Sequence, residues 1–110
     1  MNTQKNKNEI IEIKEEDVGL DYLKALLEIT NVRKNKRKQY HDTFLSDDIL
    51  FLQYQIENKL KRLRLQIKDG NLIDAIDNIE TAKDSLIDIC NYSLFLIAKI
   101  NLIQNDKNEK

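Results

Sequence analysis

Apolar positions recur at helical spacing from residue 20 onward, and the fold class they predict is all-α. Over residues 15–38 a first helix is expected, with Leu20, Leu23, Leu27 and Thr30 as one stripe that Tyr22, Leu26 and Ile29 broaden. Glu15, Glu16 and Asp17 stand in its first turn, and Arg33, Lys34, Lys36, Arg37 and Lys38 crowd its end. The helix dipole favours that order of charge. A break follows at residues 39–46, after which Ser46 or Asp47 supplies an N-cap for a second helix reaching residue 68. Its Ile49, Leu52, Ile56, Leu60, Leu63 and Ile67 repeat at intervals of three and four, the clearest amphipathic seam in the chain. Asp69-Gly70-Asn71 ends it, with Gly70 as a left-handed cap. A third helix is expected over residues 72–103, with Leu72, Ile76, Ile79, Leu86, Cys90, Leu94 and Ile97 on its core side. Asp77-Asn78-Ile79-Glu80 reads as a capping box and marks a restart near residue 78.

Three main helices joined by short turns predict an antiparallel bundle. Residues 94–103 are apolar almost all round, and the second helix carries a further apolar face in Leu50, Phe51, Tyr54 and Leu65. Three helices of this length cannot cover both extra faces, so the bundle is expected to self-associate as a homo-oligomer. Residues 15–104 then form the single domain. Residues 1–14 form an arm, mobile or docked through Ile10, Ile11 and Ile13, and residues 105–110 a disordered tail.

The composition narrows the function classes. The 110 residues include 18 basic and 19 acidic side chains, for a net charge of −1. Length alone predicts one domain, burying roughly 65% of its unfolded surface. The absence of proline and the presence of only two glycines exclude a many-turned β-sandwich or barrel. Near-neutrality argues against bulk nucleic acid as partner, because that affinity rests on a cationic field. The N-terminus lacks the apolar run of a leader. The most apolar stretch, residues 86–103, is interrupted by Asp88, Asn91, Lys99 and Asn101, which speaks against a membrane span. The expectation is a soluble cytoplasmic protein. One cysteine, Cys90, excludes an internal disulfide and reads as a small core residue. With His41 as the one histidine, a zinc site has too few ligands. Phosphate-cradling glycine loops, serine elbows and dinucleotide fingerprints are absent.

Two lines of charge remain to be explained. On the third helix Glu80, Asp84, Asp88 and Asn91 fall within roughly 80° of one another beside the apolar seam. On the second, Gln55, Lys59, Arg62 and Gln66 do the same. Stacked carboxylates are stable in full solvent, or against cations or metal. In an antiparallel pair Lys59 lies level with Glu80 to Asp84, so the lines either neutralise each other across the interface or flank one groove. Asp88 and Asn91 sit among Leu86, Ile87, Ile89 and Leu94, where burial demands partners. The basic run ending at Tyr40-His41-Asp42 complements the helix dipole, and it also suits phosphate capture with an aromatic ring for stacking.

These segments resemble a known family. Lys36-Arg37-Lys38-Gln39-Tyr40-His41-Asp42-Thr43-Phe44 is similar to the Lys-x-Lys-Asp-Tyr-Gly-Asp-Ser-Phe signature of the nucleotide modification associated domain, type one. Asn58-Lys59-Leu60-Lys61-Arg62-Leu63 resembles its Lys-x-x-Arg helix, and residues 80–92 its Glu-x-x-x-Asp-(x)3-Asp-x-x-Asn-Tyr helix. The likeness covers about residues 33–100. It departs at Gln39, where the family has aspartate, and at His41, where it has glycine. The family is found largely in phages and bacteria, and looks distantly related to all-α nucleotide pyrophosphatases of the MazG type. The resemblance implies binding of a phosphorylated nucleotide or nucleotide-derived signal. Lys59 and Arg62, aided by Lys36 or Lys38, would neutralise phosphate. Asp84, Asp88 or Asn91 would bond base or ribose, and Tyr40 or Tyr92 would stack. MazG-type enzymes carry a second acidic cluster on the facing helix, where this chain has Lys59, Lys61, Arg62 and Arg64 with Glu57 the one carboxylate. The expectation is therefore binding without turnover and without a cofactor, and in a phage-like setting sequestration of a defence signal. The alternative is a magnesium-dependent nucleoside triphosphate pyrophosphatase, with Glu80, Asp84 and Asp88 on the metal. A second alternative is a non-catalytic interaction module whose charge lines pair internally.

Overall fold

The computed structural model describes residues 11–67, 71–72 and 79–108. They form a helical bundle with no strand among the described residues. A short helix α1 (Glu15–Val18) leads into α2 (Leu20–Tyr40). A 3-10 turn (Thr43–Ser46), helix α3 (Ile49–Gln66) and the long helix α4 (Ile79–Asn108) follow. Gly70, expected as a cap, lies outside the described residues, as do Ile10 and the predicted first turn of the third helix at residues 73–78.

The expected first helix is split at Gly19, which has φ +88° and ψ 154°. No helical residue adopts those angles, and glycine reaches them without a Cβ penalty. Its N–H donates to the Glu15 carbonyl at 2.7 Å, closing α1. Asp48, one or two residues beyond the expected cap, begins α3 by accepting from the Phe51 N–H at 2.7 Å. The described part of the third helix starts at Ile79, near the predicted restart, and runs to Asn108. Residues 105–108 are thus helical where a disordered tail was expected. Ile11 and Ile13 are exposed and do not dock.

The α3–α4 pair is the main packing unit, with α2 lying across α4. Partners along α3 and the turn before it fix the direction of the pair. Phe44 meets Phe95, Lys59 meets Asp88, and Gln66 meets Ser85. Rising numbers on one side meet falling numbers on the other, so the two helices are antiparallel. Among the described apolar residues only Leu52 and Ala82 are fully buried, so the core is thin.

The face that α4 turns inward is not the predicted seam. Leu86, Cys90, Leu94 and Ile97 are exposed, and the reading of Cys90 as a core residue is corrected accordingly. Ala82, Ser85, Asp88, Asn91, Tyr92, Phe95 and Lys99 face the bundle instead. Polar pairing explains the rotation. Ser85 Oγ bonds Gln66 Oε1 at 2.8 Å, Asn91 Nδ2 donates to the Ile29 carbonyl at 3.4 Å, and Lys99 donates to the Leu45 carbonyl. With Asp88, which meets Lys36 and Lys59, four polar side chains of α4 find partners this way, and small Ala82 and Ser85 admit close approach. On α2 the inward residues are Leu23, Leu26, Ile29, Val32 and Arg33, while Leu20 and Leu27 of the expected stripe are exposed. The seam of α3 holds apart from exposed Leu60, and its second face of Leu50, Phe51, Tyr54 and Leu65 lies open as expected. By length and composition α4 is apolar enough to cross a membrane, with a mean hydropathy of 1.6 in its most apolar stretch.

The end of α2 stores backbone strain. His41 has φ +54° and ψ −138°, angles that glycine adopts and other residues rarely do. Such a conformation costs about 1–3 kcal/mol. His41→Gly removes that cost and gives back up to about 1 kcal/mol in unfolded-chain entropy. We expect a net gain of about 1 kcal/mol, read as a melting temperature several degrees higher. A lower melting temperature would show that the imidazole makes a contact worth more than the strain.

Candidate functional site

Arg33 organises the turn that leaves α2. Its guanidinium donates to Asp42 Oδ1 at 2.8 Å and to the His41 carbonyl at 3.2 Å. Arg37 grips the same carboxylate through Nε at 2.8 Å and Nη2 at 3.0 Å. The Arg37 hydrogen bonds hold the Asp42 carboxyl below its usual range, with help from the Arg33 charge. Asp42 in turn raises the Arg37 pKa. This latch folds the turn back so that Phe44 stacks on Phe95, with centroids 4.7 Å apart and planes at 12°. Tyr92 meets Phe95 edge-on at 5.9 Å, and the Arg33 guanidinium lies 4.9 Å from the Phe95 centroid. A cation over stacked rings adds attraction between charge and quadrupole.

Beside this stack is a cavity of about 390 Å³. Arg33, Lys36 and Tyr40 of α2, Phe44 of the turn, Phe51 of α3, and Tyr92 and Phe95 of α4 line it. The chain has four tyrosines and three phenylalanines. Two of those tyrosines and all three phenylalanines gather at this one cavity. A second cavity of about 360 Å³ is lined by Lys36, Arg62, Gln66, Asp84, Ser85 and Asp88. A small cleft of about 60 Å³ shares Lys36 and Asp88 with the second cavity, and Tyr92 and Phe95 with the first. The result is one groove, aromatic at one end and polar at the other, with Lys36 lining both. Its volume falls in the range of small-molecule sites.

The predicted site residues divide. Lys36, Tyr40 and Tyr92 line the aromatic end, and Lys36, Arg62, Asp84 and Asp88 the polar end. Asn91 lines the cleft between them but is 8% exposed, with its amide turned to Ile29. Lys38 is exposed and lines neither cavity. Lys59 is spent on Asp88, Nζ to Oδ2 at 3.1 Å. Lys36 reaches Asp88 Oδ1 at 3.5 Å and keeps 58% of its side chain exposed. Arg62 makes no ion pair with any described residue. The pocket was expected between the second and third helices, and α2 also contributes, through Arg33, Lys36 and Tyr40, because its C-terminal half leans on α4. Arg33, Phe44, Phe51 and Phe95 went unassigned in the sequence reading, and the signal that points to them is the concentration of so few aromatics in residues 40–51 and 92–95.

The metal-binding alternative meets a geometric obstacle. Among the described residues no three His, Cys, Asp or Glu side chains gather closely enough for an ion. Glu80 and Asp88 are two turns apart, about 12 Å along the axis. Glu80 and Glu57 are exposed and line neither cavity, and Asp88 already faces two lysines. Convergent carboxylates are what magnesium-assisted phosphoryl chemistry requires. Comparison of the chain with protein-family models, curated proteins and solved structures gives no match.

Proposed function

We propose that the groove binds a phosphorylated nucleotide without turning it over. The observation that carries this reading is the aromatic cavity opening, past Lys36, onto a polar cavity lined by Arg62, which makes no ion pair with any described residue. A base stacks at the end formed by Tyr40, Phe51 and Tyr92. Phosphate lies toward Lys36 and Arg62, where charge-assisted hydrogen bonds hold it. Asp84 accepts from ribose or base. The resemblance of the Tyr40 segment to a nucleotide-associated family supports the same reading, and the glycine of that family's motif falls at His41, the residue with φ +54°. Sequestration of a nucleotide-derived signal is the role that suits binding without hydrolysis.

Calorimetric titration with a panel of nucleotides and cyclic dinucleotides tests the proposal. Binding is expected to persist in chelator and to release no pyrophosphate. Tyr92→Ala removes a stacking ring worth about 1–3 kcal/mol, a loss of roughly 5–150-fold in affinity. Lys36→Ala and Arg62→Ala each cost about tenfold, within the range of one charged hydrogen bond. Pyrophosphate release abolished by chelation would establish the enzyme instead. The Lys59–Asp88 pair favours a second reading, an interaction module whose charges cancel internally. On that reading Lys59→Ala lowers stability by up to about 1 kcal/mol, and no nucleotide binds at millimolar concentration.

A further inference from the structure

Stacking holds a base without choosing it, because every base has a π-face. Any preference of the groove therefore falls to polar groups at the edge of the stacked ring. Among the described residues that line the aromatic cavity, Asp47 is the one carboxylate. Two aspartates stand together before α3, and the fold employs the side chain of the second. Asp48 accepts from the Phe51 N–H at 2.7 Å and caps the helix. The Asp47 carboxylate takes no hydrogen bond or ion pair from any described residue. Its backbone is nevertheless fixed. The Asp47 N–H donates to the Phe44 carbonyl at 3.2 Å, closing the turn whose ring stacks on Phe95. The residue is half-buried and stands four positions before Phe51, a lining ring.

The other polar side chains of this cavity differ in kind. Arg33 and Lys36 only donate, and Tyr40, Thr43 and Tyr92 carry hydroxyls that donate or accept. Asp47 is the one that only accepts. Two acceptor oxygens match a base whose edge offers two adjacent donors. That base is guanine, whose N1–H and N2 amine lie side by side on its pairing edge. Adenine sets a lone pair at N1 beside its N6 amine, cytosine sets one at N3 beside its N4 amine, and uracil flanks its N3–H with two carbonyls. Each of these turns a lone pair toward the carboxylate, which repels it. The same charge repels phosphate, which directs the base to this end and the phosphates toward Lys36 and Arg62. We propose that Asp47 makes the groove selective for guanine nucleotides, accepting from N1–H and the N2 amine of a ring stacked among Tyr40, Phe51 and Tyr92. The proposal rests on the nucleotide reading above and names its base.

Calorimetric titrations with GTP, inosine triphosphate, ATP and UTP in chelator hold ribose and phosphates constant and vary the base alone. GTP is expected to bind roughly tenfold tighter than inosine triphosphate, which lacks the N2 amine, and about 100-fold tighter than ATP or UTP, on the scale of one and two charged hydrogen bonds. Asp47→Asn turns one acceptor into a donor, which opposes guanine and matches the N6 amine and N1 lone pair of adenine. It is expected to weaken GTP roughly tenfold and to strengthen ATP, so that the preference falls to within about threefold or reverses. Asp48→Asn keeps the helix cap and should keep the wild-type order of affinities. Equal affinity of the wild type for all the triphosphates, or preference for another base, overturns the proposal and leaves nucleotide binding standing. Binding of none of them overturns both. An Asp47→Asn variant that shifts every affinity in proportion also overturns it, since that marks a carboxylate that only repels phosphate or only supports the turn.

Discussion

Leu52→Ala is expected to destabilise the protein by about 2–5 kcal/mol, the range for truncating a fully buried leucine. Leu52 has no exposed surface and is the one large side chain, among the described residues, buried completely. Its loss removes apolar burial and leaves a void where α3 begins. A domain of this size has about 5–15 kcal/mol in hand, so the variant loses a large fraction of its stability. Leu65→Ala on the same helix provides the contrast. Leu65 is 88% exposed, and its truncation should change stability by less than about 0.5 kcal/mol. Chemical denaturation at one fixed chain concentration measures both. Equal effects would mean that Leu65 is covered in solution, and the burial pattern of the single chain would then misstate where the stability resides.

Asp88→Asn is expected to act in opposite directions on stability and on binding. Asp88 faces Lys36 and Lys59 and its side chain is 23% exposed, as is 21% of Lys59. Removing its charge leaves two cations beside each other. The cost lies between that of a surface pair and that of a buried one, about 1–2 kcal/mol. Anion affinity should rise, because a carboxylate that repels phosphate is gone and Lys36 and Lys59 are released. With inorganic pyrophosphate as the probe, an increase of roughly three- to tenfold is expected at low salt, fading as salt screens the cations. Reduced affinity for a nucleotide, with pyrophosphate affinity raised, would instead show that Asp88 accepts from base or ribose, the role first expected of it. No change in either quantity would show that the ion pair contributes nothing and that the groove takes no anion.

The candidate site was partly legible in the chain. Lys36, Tyr40, Arg62, Asp84, Asp88 and Tyr92 were identifiable because charge lines and aromatics at helical spacing share a face whatever the helix packs against. The roles of Lys59 and Lys38 were not, because whether a lysine is free or spent depends on the opposing element. Arg33 was read as a dipole complement, yet it reaches eight and nine residues ahead to His41 and Asp42 and lies over Phe95 from α4. Only folding makes the ring contact.

What the sequence determined by itself is local. The helical period, the break before α3 and the excess of apolar faces all follow from contacts within a few turns, which residue spacing encodes directly. The tertiary structure decided the rotation of α4 about its axis. A helix apolar nearly all round has no single hydrophobic face to set that angle. The choice passed to Ser85, Asp88, Asn91 and Lys99, whose partners on the other elements satisfy groups that would otherwise lose water without compensation. That rotation brings Tyr92 and Phe95 into the groove and leaves Leu86, Cys90, Leu94 and Ile97 outside it.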